Sequence, residues 1–220
     1  MPNQDTFTPS EAILLNGFLF AESCDPLHAF PLPLHGEQRF ADEKELAIKM
    51  ITAAFFANIE TGFLGVRQAE HKSVLQDDPF MVSFKRQADW PKDTLENKLF
   101  LSFKSRAGSE ITLYQVFNNI YPRPVYDSPW RDIDWDVCNG LYQRDLLKAE
   151  TIELSEWAKS KAPGNRFRVG KYTPLEGFSY LEETRQYVVK VQQMLSRAEV
   201  NSHALWSAVQ ARIAQPKLIK

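Results

Sequence analysis

Cysteine is scarce in this chain: Cys24 and Cys138 are its only two, and neither sits in a C-x-x-C pair. That is too few for a disulfide framework. Long apolar runs are missing as well. No stretch reaches the roughly 18–20 uninterrupted apolar residues that a membrane-spanning helix needs. The opening Met1-Pro2-Asn3-Gln4-Asp5 lacks the basic and apolar regions of a secretory signal. These absences lead to an expectation of a cytoplasmic location. A strong excess of charge is absent too, the net value being −2, which excludes a globally basic nucleic-acid binder. A local basic patch can still meet an anionic surface. What remains is an ordinary globular composition, 44% hydrophobic and 25% charged over 220 residues, enough to bury a real core.

The stretch Glu45–Val66 organises the rest. From Leu46 to Ile59 nearly every residue is apolar, and the run is too long for a strand. With its small alanines it reads as a helix buried nearly all round. Asp42 is the expected cap, Thr61-Gly62 the stop, and Phe63, Leu64 and Val66 the start of a strand. Upstream, Thr8-Pro9-Ser10-Glu11 is a capping-box helix start. Its helix is expected to run through Ile13, Leu14, Leu15, Phe18 and Leu19 and to end before Cys24. Residues 25–40, with three prolines and two histidines, read as an irregular connection.

Downstream, Ser73-Val74-Leu75 and Phe80–Phe84 look like the strands of a short wing across a Gln76–Pro79 turn. A helix carrying Leu95, Leu99, Phe100 and Phe103 follows. Ser109 is the expected cap of the next, with Ile111, Tyr114, Phe117 and Ile120 on one face. After a proline-punctuated linker, Ser128-Pro129 opens a helix with Trp130, Ile133, Val137 and Leu141 at core spacing. Leu146 to Leu154 and Phe167-Arg168-Val169 then read as a second hairpin. Two terminal helices follow, one carrying Tyr187, Val188, Val191, Met194 and Leu195, the other Leu205, Trp206, Val209 and Ile213. The expected fold is therefore mainly α, one compact domain over residues 1–220 with two β-hairpins. Winged-helix-like pseudo-repeats cover about 7–84 and 91–172, and C-terminal helices cover about 173–215.

Most constellations that carry chemistry fail. Gly164–Lys171 has five residues between its glycines where a phosphate loop has four, and Tyr172 replaces the magnesium-binding hydroxyl. Asp132, Asp134 and Asp136 alternate like a calcium loop, but Val137 and Gln143 stand where glycine and glutamate belong. They read better as solvated acids near a helix N-terminus. His28, His35, His71 and His203 have no metal-ligand spacing, and the cysteines read as core fillers. No G-x-S-x-G elbow is present. No catalytic residue, metal or cofactor is therefore expected. What stands out is KSKAPGNRFRVGK, residues 159–171. Lys159, Lys161, Arg166, Arg168 and Lys171 lie there without one acid, interleaved with or flanked by Trp157, Phe167 and Tyr172. Such a tongue can lie on anionic lipid or on a phosphate backbone. The plain alternative is a solvated hairpin tip, which the frequency of short charged loops favours.

The order of elements resembles the Golgi phosphoprotein-3 family. TPSEAILLNGFLF, ELAIKMITAAFFANIETGFLGV, HKSVL, WRDIDWDVCNGLYQRDLLKAE and FRVGKYTPLE carry the resemblance, over about residues 7–197. It implies a mostly helical membrane-binding protein. A basic pocket with a tryptophan and several arginines would recognise phosphatidylinositol 4-phosphate, and a hairpin would touch the bilayer. On that alignment Arg131 falls at one pocket arginine, Asp134 at the next, and Ile51 at the arginine of the central helix, with Lys49 nearby. Asp42 falls at the tryptophan, and Phe40 is the nearest aromatic. The expectation is non-enzymatic peripheral binding to anionic phospholipid or phosphoinositide, with an adaptor's protein partner in addition. Lys49 and Arg131 form the remnant pocket, and Lys161, Arg166, Arg168 and Lys171 the tongue. The alternative is a winged-helix nucleic-acid binder, against which stand Asp132, Asp134, Asp136 and Asp145.

Overall fold

Asp42 starts the helix on which the others pack. Its Oδ1 accepts the Glu45 amide proton at 2.7 Å, and helix α2 runs Glu43–Glu60. The computed structural model describes residues 7–22, 41–69, 79–86, 89–104, 110–120, 129–153, 167–176 and 179–214. At 102–104, 129, 152, 167–170 and 181 only the backbone is described. Leu46, Met50, Ile51, Ala54, Phe55 and Phe56 of α2 are all buried, so no side of its middle turns faces water. The Thr61 hydroxyl donates back to the Ala57 carbonyl at 2.7 Å, and Gly62 takes φ +74°, which turns the chain out of the helix.

Helix α1, Pro9–Leu15, lies against α2. Glu11 accepts the Thr8 amide proton at 2.8 Å, one half of a capping box. The helix stops earlier than its apolar run predicts. Asn16 Nδ2 donates to the Ala12 carbonyl at 2.9 Å and to Thr184 Oγ1 at 2.7 Å, and this local competition ends the ladder. Gly17–Leu19 form a 3₁₀ turn instead, leaving Phe18 and Leu19 exposed.

The first wing also differs from its prediction. Strand β1, Leu64–Gln68, pairs antiparallel with β2, Phe80–Phe84, with Val66 opposite Val82. Residues 73–75, the expected partner, lie outside the described residues. A third strand, β3 (Glu110–Thr112), pairs with the other edge of β2. Ile111 therefore belongs to a strand and is buried there rather than on a helix. Helix α3, Leu95–Lys104, precedes β3, and α4, Leu113–Ile120, follows it directly. Thr112 caps α4, taking the place expected of Ser109, which is outside the described residues. Its Oγ1 accepts the Gln115 amide proton at 3.2 Å, and the Thr112 amide donates to Gln115 Oε1 at 3.0 Å. The inward face is Leu113, Val116, Phe117 and Ile120, while Tyr114 is exposed.

Helix α5, Pro129–Gln143, buries Ile133, Val137 and Leu141 as their spacing predicts. A two-stranded hairpin follows, β4 (Lys148–Glu153) with β5 (Phe167–Thr173), and then α6, Tyr180–Asn201, and α7, His203–Ala214. The chain is thus mainly α, with two small antiparallel sheets. Helix α2 touches α1, α3, α5, α6 and α7. Among the described residues no helix is long and apolar enough to cross a membrane.

Phe55 is the test of this arrangement. Its fully buried ring meets Phe56 at 5.8 Å and Phe117 at 5.6 Å between centroids. Phe55→Ala is expected to cost about 3–5 kcal/mol in chemical denaturation. A loss under about 1 kcal/mol would contradict a buried central helix.

Candidate functional site

Two helix starts meet where the aligned pocket falls. Arg131, in the first turn of α5, donates from Nε to Glu43 Oε1 at 3.0 Å, and Glu43 opens α2 directly after its cap Asp42. Arg131 is half-exposed and Glu43 mostly buried. Lys49 does not join them on one face. Six residues along α2 carry it about 9 Å further and roughly a third of a turn away from Glu43. Ile51, at the place of the family's central-helix arginine, is buried in the core.

Beside Arg131 lies a feature that sequence reasoning placed wrongly. Asp132 and Asp134 are not solvated: both are buried, Asp134 completely, and neither Asp134 carboxylate oxygen has a hydrogen-bond partner. Burial raises the Asp134 carboxyl well above the ordinary range. The charges of Glu43 and Asp42 push it the same way, and Arg131 opposes them. Only Asp136 reaches outward, where Lys98 of α3 donates to it. One turn beyond Asp134, Cys138 is a buried core filler whose thiol is pushed up by burial and by that carboxyl, so it is no ready nucleophile. This corner holds three acids around one guanidinium that is already paired.

The basic tongue belongs to the β4–β5 hairpin. Lys171 is exposed on β5 opposite Glu150, and Arg168 is placed in the ladder opposite Ile152. Lys161 and Arg166 lie outside the described residues. Between Glu150 and Thr151 the register slips, leaving Gly170 as an unpaired extra residue on β5. The hairpin is fixed at its base. Tyr172 is buried with its ring 4.8 Å from Trp135 and 6.0 Å from Tyr142, both on α5, and its hydroxyl reaches Asn139 at 3.4 Å. Otherwise β4 and β5 pack chiefly on each other.

A second buried polar group joins α1, α3 and α5. Arg144, just past α5, donates from Nη2 to Glu11 Oε1, and Glu11 Oε2 accepts the Thr8 amide proton. Ser10 donates its amide to Glu96 Oε1 at 2.8 Å and sits with its hydroxyl 3.0 Å from Oε2. Both carboxylates are wholly buried. Burial and the Glu11 charge push Glu96 up to about 7, while hydrogen bonds from Ser10 and Thr8 oppose the rise. Glu11 is raised by burial against the pull of Arg144. Sequence reasoning took Glu11 only as a cap and passed over Glu96. A signal was present: Glu96 shares a three-four spacing with Leu99, Phe100 and Phe103, an acid on an apolar stripe. Among the described residues no group of three or more histidine, cysteine or acidic side chains is arranged to hold a metal ion.

The Asp134 carboxyl gives a pH-dependent prediction. A raised acid contributes its stability in full below its unfolded-state value and loses it as pH rises towards the folded-state value. Asp134→Asn removes that dependence. Its stability relative to the parent is expected to improve by roughly 1–3 kcal/mol between pH 4 and pH 8, measured by urea denaturation. Parallel pH curves for the two proteins would show the carboxyl to be solvated or paired. No family model matches the chain, and neither does any curated protein or solved structure.

Proposed function

We propose that this chain binds anionic membrane surfaces peripherally, without catalysing a reaction, and that the β4–β5 hairpin makes the contact. The observation that carries the reading is the hairpin's construction. It is anchored on α5 through Tyr172. Residues 159–171, which in sequence lead into and include most of β5, hold five basic residues and no acid. Each such residue near an anionic leaflet contributes about 1 kcal/mol of attraction. The order of elements shared with the Golgi phosphoprotein-3 family supports the same role and a relationship to that family.

The mode of binding is long-range attraction rather than a phosphate pocket. Arg131 is engaged by Glu43, and Asp42 lies beside Glu43 at the start of α2. A phosphoinositide headgroup is therefore one anionic lipid among others. A protein partner held at the membrane fits the same reading.

Vesicle sedimentation tests it. The parent is expected to bind vesicles rich in phosphatidylserine and to ignore neutral ones. Binding should weaken steeply as salt shortens the screening length from about 30 Å at 0.01 M to about 8 Å at 0.15 M. Replacing Lys161, Arg166 and Arg168 together with glutamine should remove about 3 kcal/mol, more than a hundredfold in affinity. Arg131→Ala should leave this binding unchanged. A parent that ignores acidic vesicles at low salt yet retards duplex DNA would overturn the reading in favour of a nucleic-acid binder.

A further inference from the structure

The α1–α3–α5 junction holds two carboxylates against one guanidinium, away from water. Glu11 and Glu96 come from different helices and are both fully buried, and Arg144 donates to Glu11 and to the Gly140 carbonyl. With both acids ionised the group carries an uncompensated buried charge, which costs several kcal/mol in a poorly polarisable interior. With one proton added it is neutral. Glu96 is the residue to hold that proton, because its hydrogen-bond partners, Ser10 and Thr8, are neutral groups of the α1 start.

The oxygens are arranged to accept it. A protonated Glu96 Oε2 donates to the Ser10 hydroxyl at 3.0 Å. That hydroxyl then donates to Thr8 Oγ1 at 3.2 Å, and the Thr8 amide donates to Glu11 Oε2 at 2.8 Å. These bonds connect α3 through the start of α1 to the Arg144 pair, passing at Thr8 from its hydroxyl to its backbone amide. Ionising Glu96 reverses its first link and places a second negative charge beside Glu11.

We propose that this junction is a proton-operated latch: one proton shared by the Glu11–Glu96 site keeps α1 seated on α3, and losing it frees α1 to lift. The groups facing Glu96 bear this out from each side. Helix α1 presents Glu11 with Thr8 and Ser10, α5 ends in Arg144, and α2 offers the neutral Asn58, whose Nδ2 donates to the Glu96 carbonyl at 3.1 Å. On α3 itself Lys98 is turned to Asp136 of α5. The contact is close because Gly140 lets α5 approach: a Cβ there would stand 2.4 Å from the Asp93 carbonyl oxygen and 3.7 Å from Glu11 Oε1. Lifting α1 would uncover Ile13, Leu14 and Leu15 and the α2 and α6 surfaces they cover. The direction follows from the raised acid. The latch holds in full below the ordinary carboxylate value of 4.5, loosens as pH rises towards the folded-state value of about 7, and is fully loosened above it.

Segment-resolved amide hydrogen exchange on the whole chain, corrected for the intrinsic pH dependence of exchange, reads the latch directly. Between the ordinary carboxylate value of 4.5 and about pH 7 the opening of the α1 amides is expected to grow about tenfold per pH unit and to level off above pH 7, while the interior amides of α6 stay flat. Glu96→Gln, which keeps the neutral shape, should abolish the α1 slope. Carbon-13 NMR of the parent's Glu96 carboxyl keeps the test independent of whether that variant folds: the carboxyl should titrate near 7, the pH at which the rise in α1 opening ends. A carboxyl that titrates in the ordinary range, an α1 segment indifferent to pH, a slope retained in Glu96→Gln, or an equal slope in α1 and α6 would each overturn the latch. Vesicle binding is read separately, so failure here leaves the hairpin reading standing or falling by itself.

Discussion

Burial of α2 on every side is the constraint on which the remaining structure depends. Five helices can crowd it because alanines at 47, 53, 54 and 57 leave room for them, while Phe55 and Phe56 reach outward into the layers so formed. Phe56 meets Trp206 of α7 at 5.8 Å as Phe55 meets Phe117 of α4, so one pair of rings ties two distant helices to the same centre. A helix without a wet face must also satisfy its own polar groups. Thr52 Oγ1 accepts from Gln210 Nε2 at 2.9 Å, and Asn58 accepts from Trp90 Nε1 at 2.9 Å while donating to the Ala54 and Glu96 carbonyls. These bonds fix which neighbour lies where, something apolar contact alone leaves loose.

The same low-polarity interior gives the few buried acids their weight. Exposed ion pairs such as Arg67–Glu110 and Arg197–Glu60 are screened and contribute little. Glu96 and Asp134 are not screened. One is raised by burial and a neighbouring carboxylate against the pull of its hydrogen-bond donors, and the other has no donor at all. Response to pH should therefore be concentrated at α3 and α5 rather than spread over the surface. The two sites also differ in consequence. Glu96 joins the start of the fold to its middle, whereas Asp134 sits between the first turns of α2 and α5.

The elements legible in the sequence were those set by local chemistry. Asp42, Thr8-Pro9 and Gly62 mark their helix ends because capping and left-handed turns depend on a few adjacent residues, and the 130–141 spacing states its buried face outright. What escaped depends on partners distant in the chain. Residues 110–112 became a strand because β2 offers them an open edge, a fact no local window contains. The helix through Leu15 ended early because Asn16 found Thr184, 168 positions away. Asp134 has the composition of a solvated cap, and only the approach of α2 buries it. Arg131 was singled out in the sequence, but its pairing with Glu43 at 3.0 Å, 88 positions away, was not.

Polarity at that corner bears on how the protein would meet a membrane under the proposed reading. A specific pocket draws its affinity from short, directional bonds to a phosphate, and those need donors without competing acceptors. Here Glu43 occupies the arginine, with Asp42 next to it in the chain. The hairpin works under opposite conditions. Residues 159–171 hold five basic side chains and no acid in a chain whose net charge is slightly negative, so the rest of the sequence carries the acidic excess. Under the proposed reading an anionic leaflet would attract the one and repel the other, which would orient the protein before any contact formed. The aromatic anchor at Tyr172 transmits that orientation to α5, and through α5 to the central helix, because these elements share one packed core. Orientation by separated charge asks for no headgroup chemistry, so under the proposed reading a paired Arg131 and a basic 159–171 segment are compatible in one sequence.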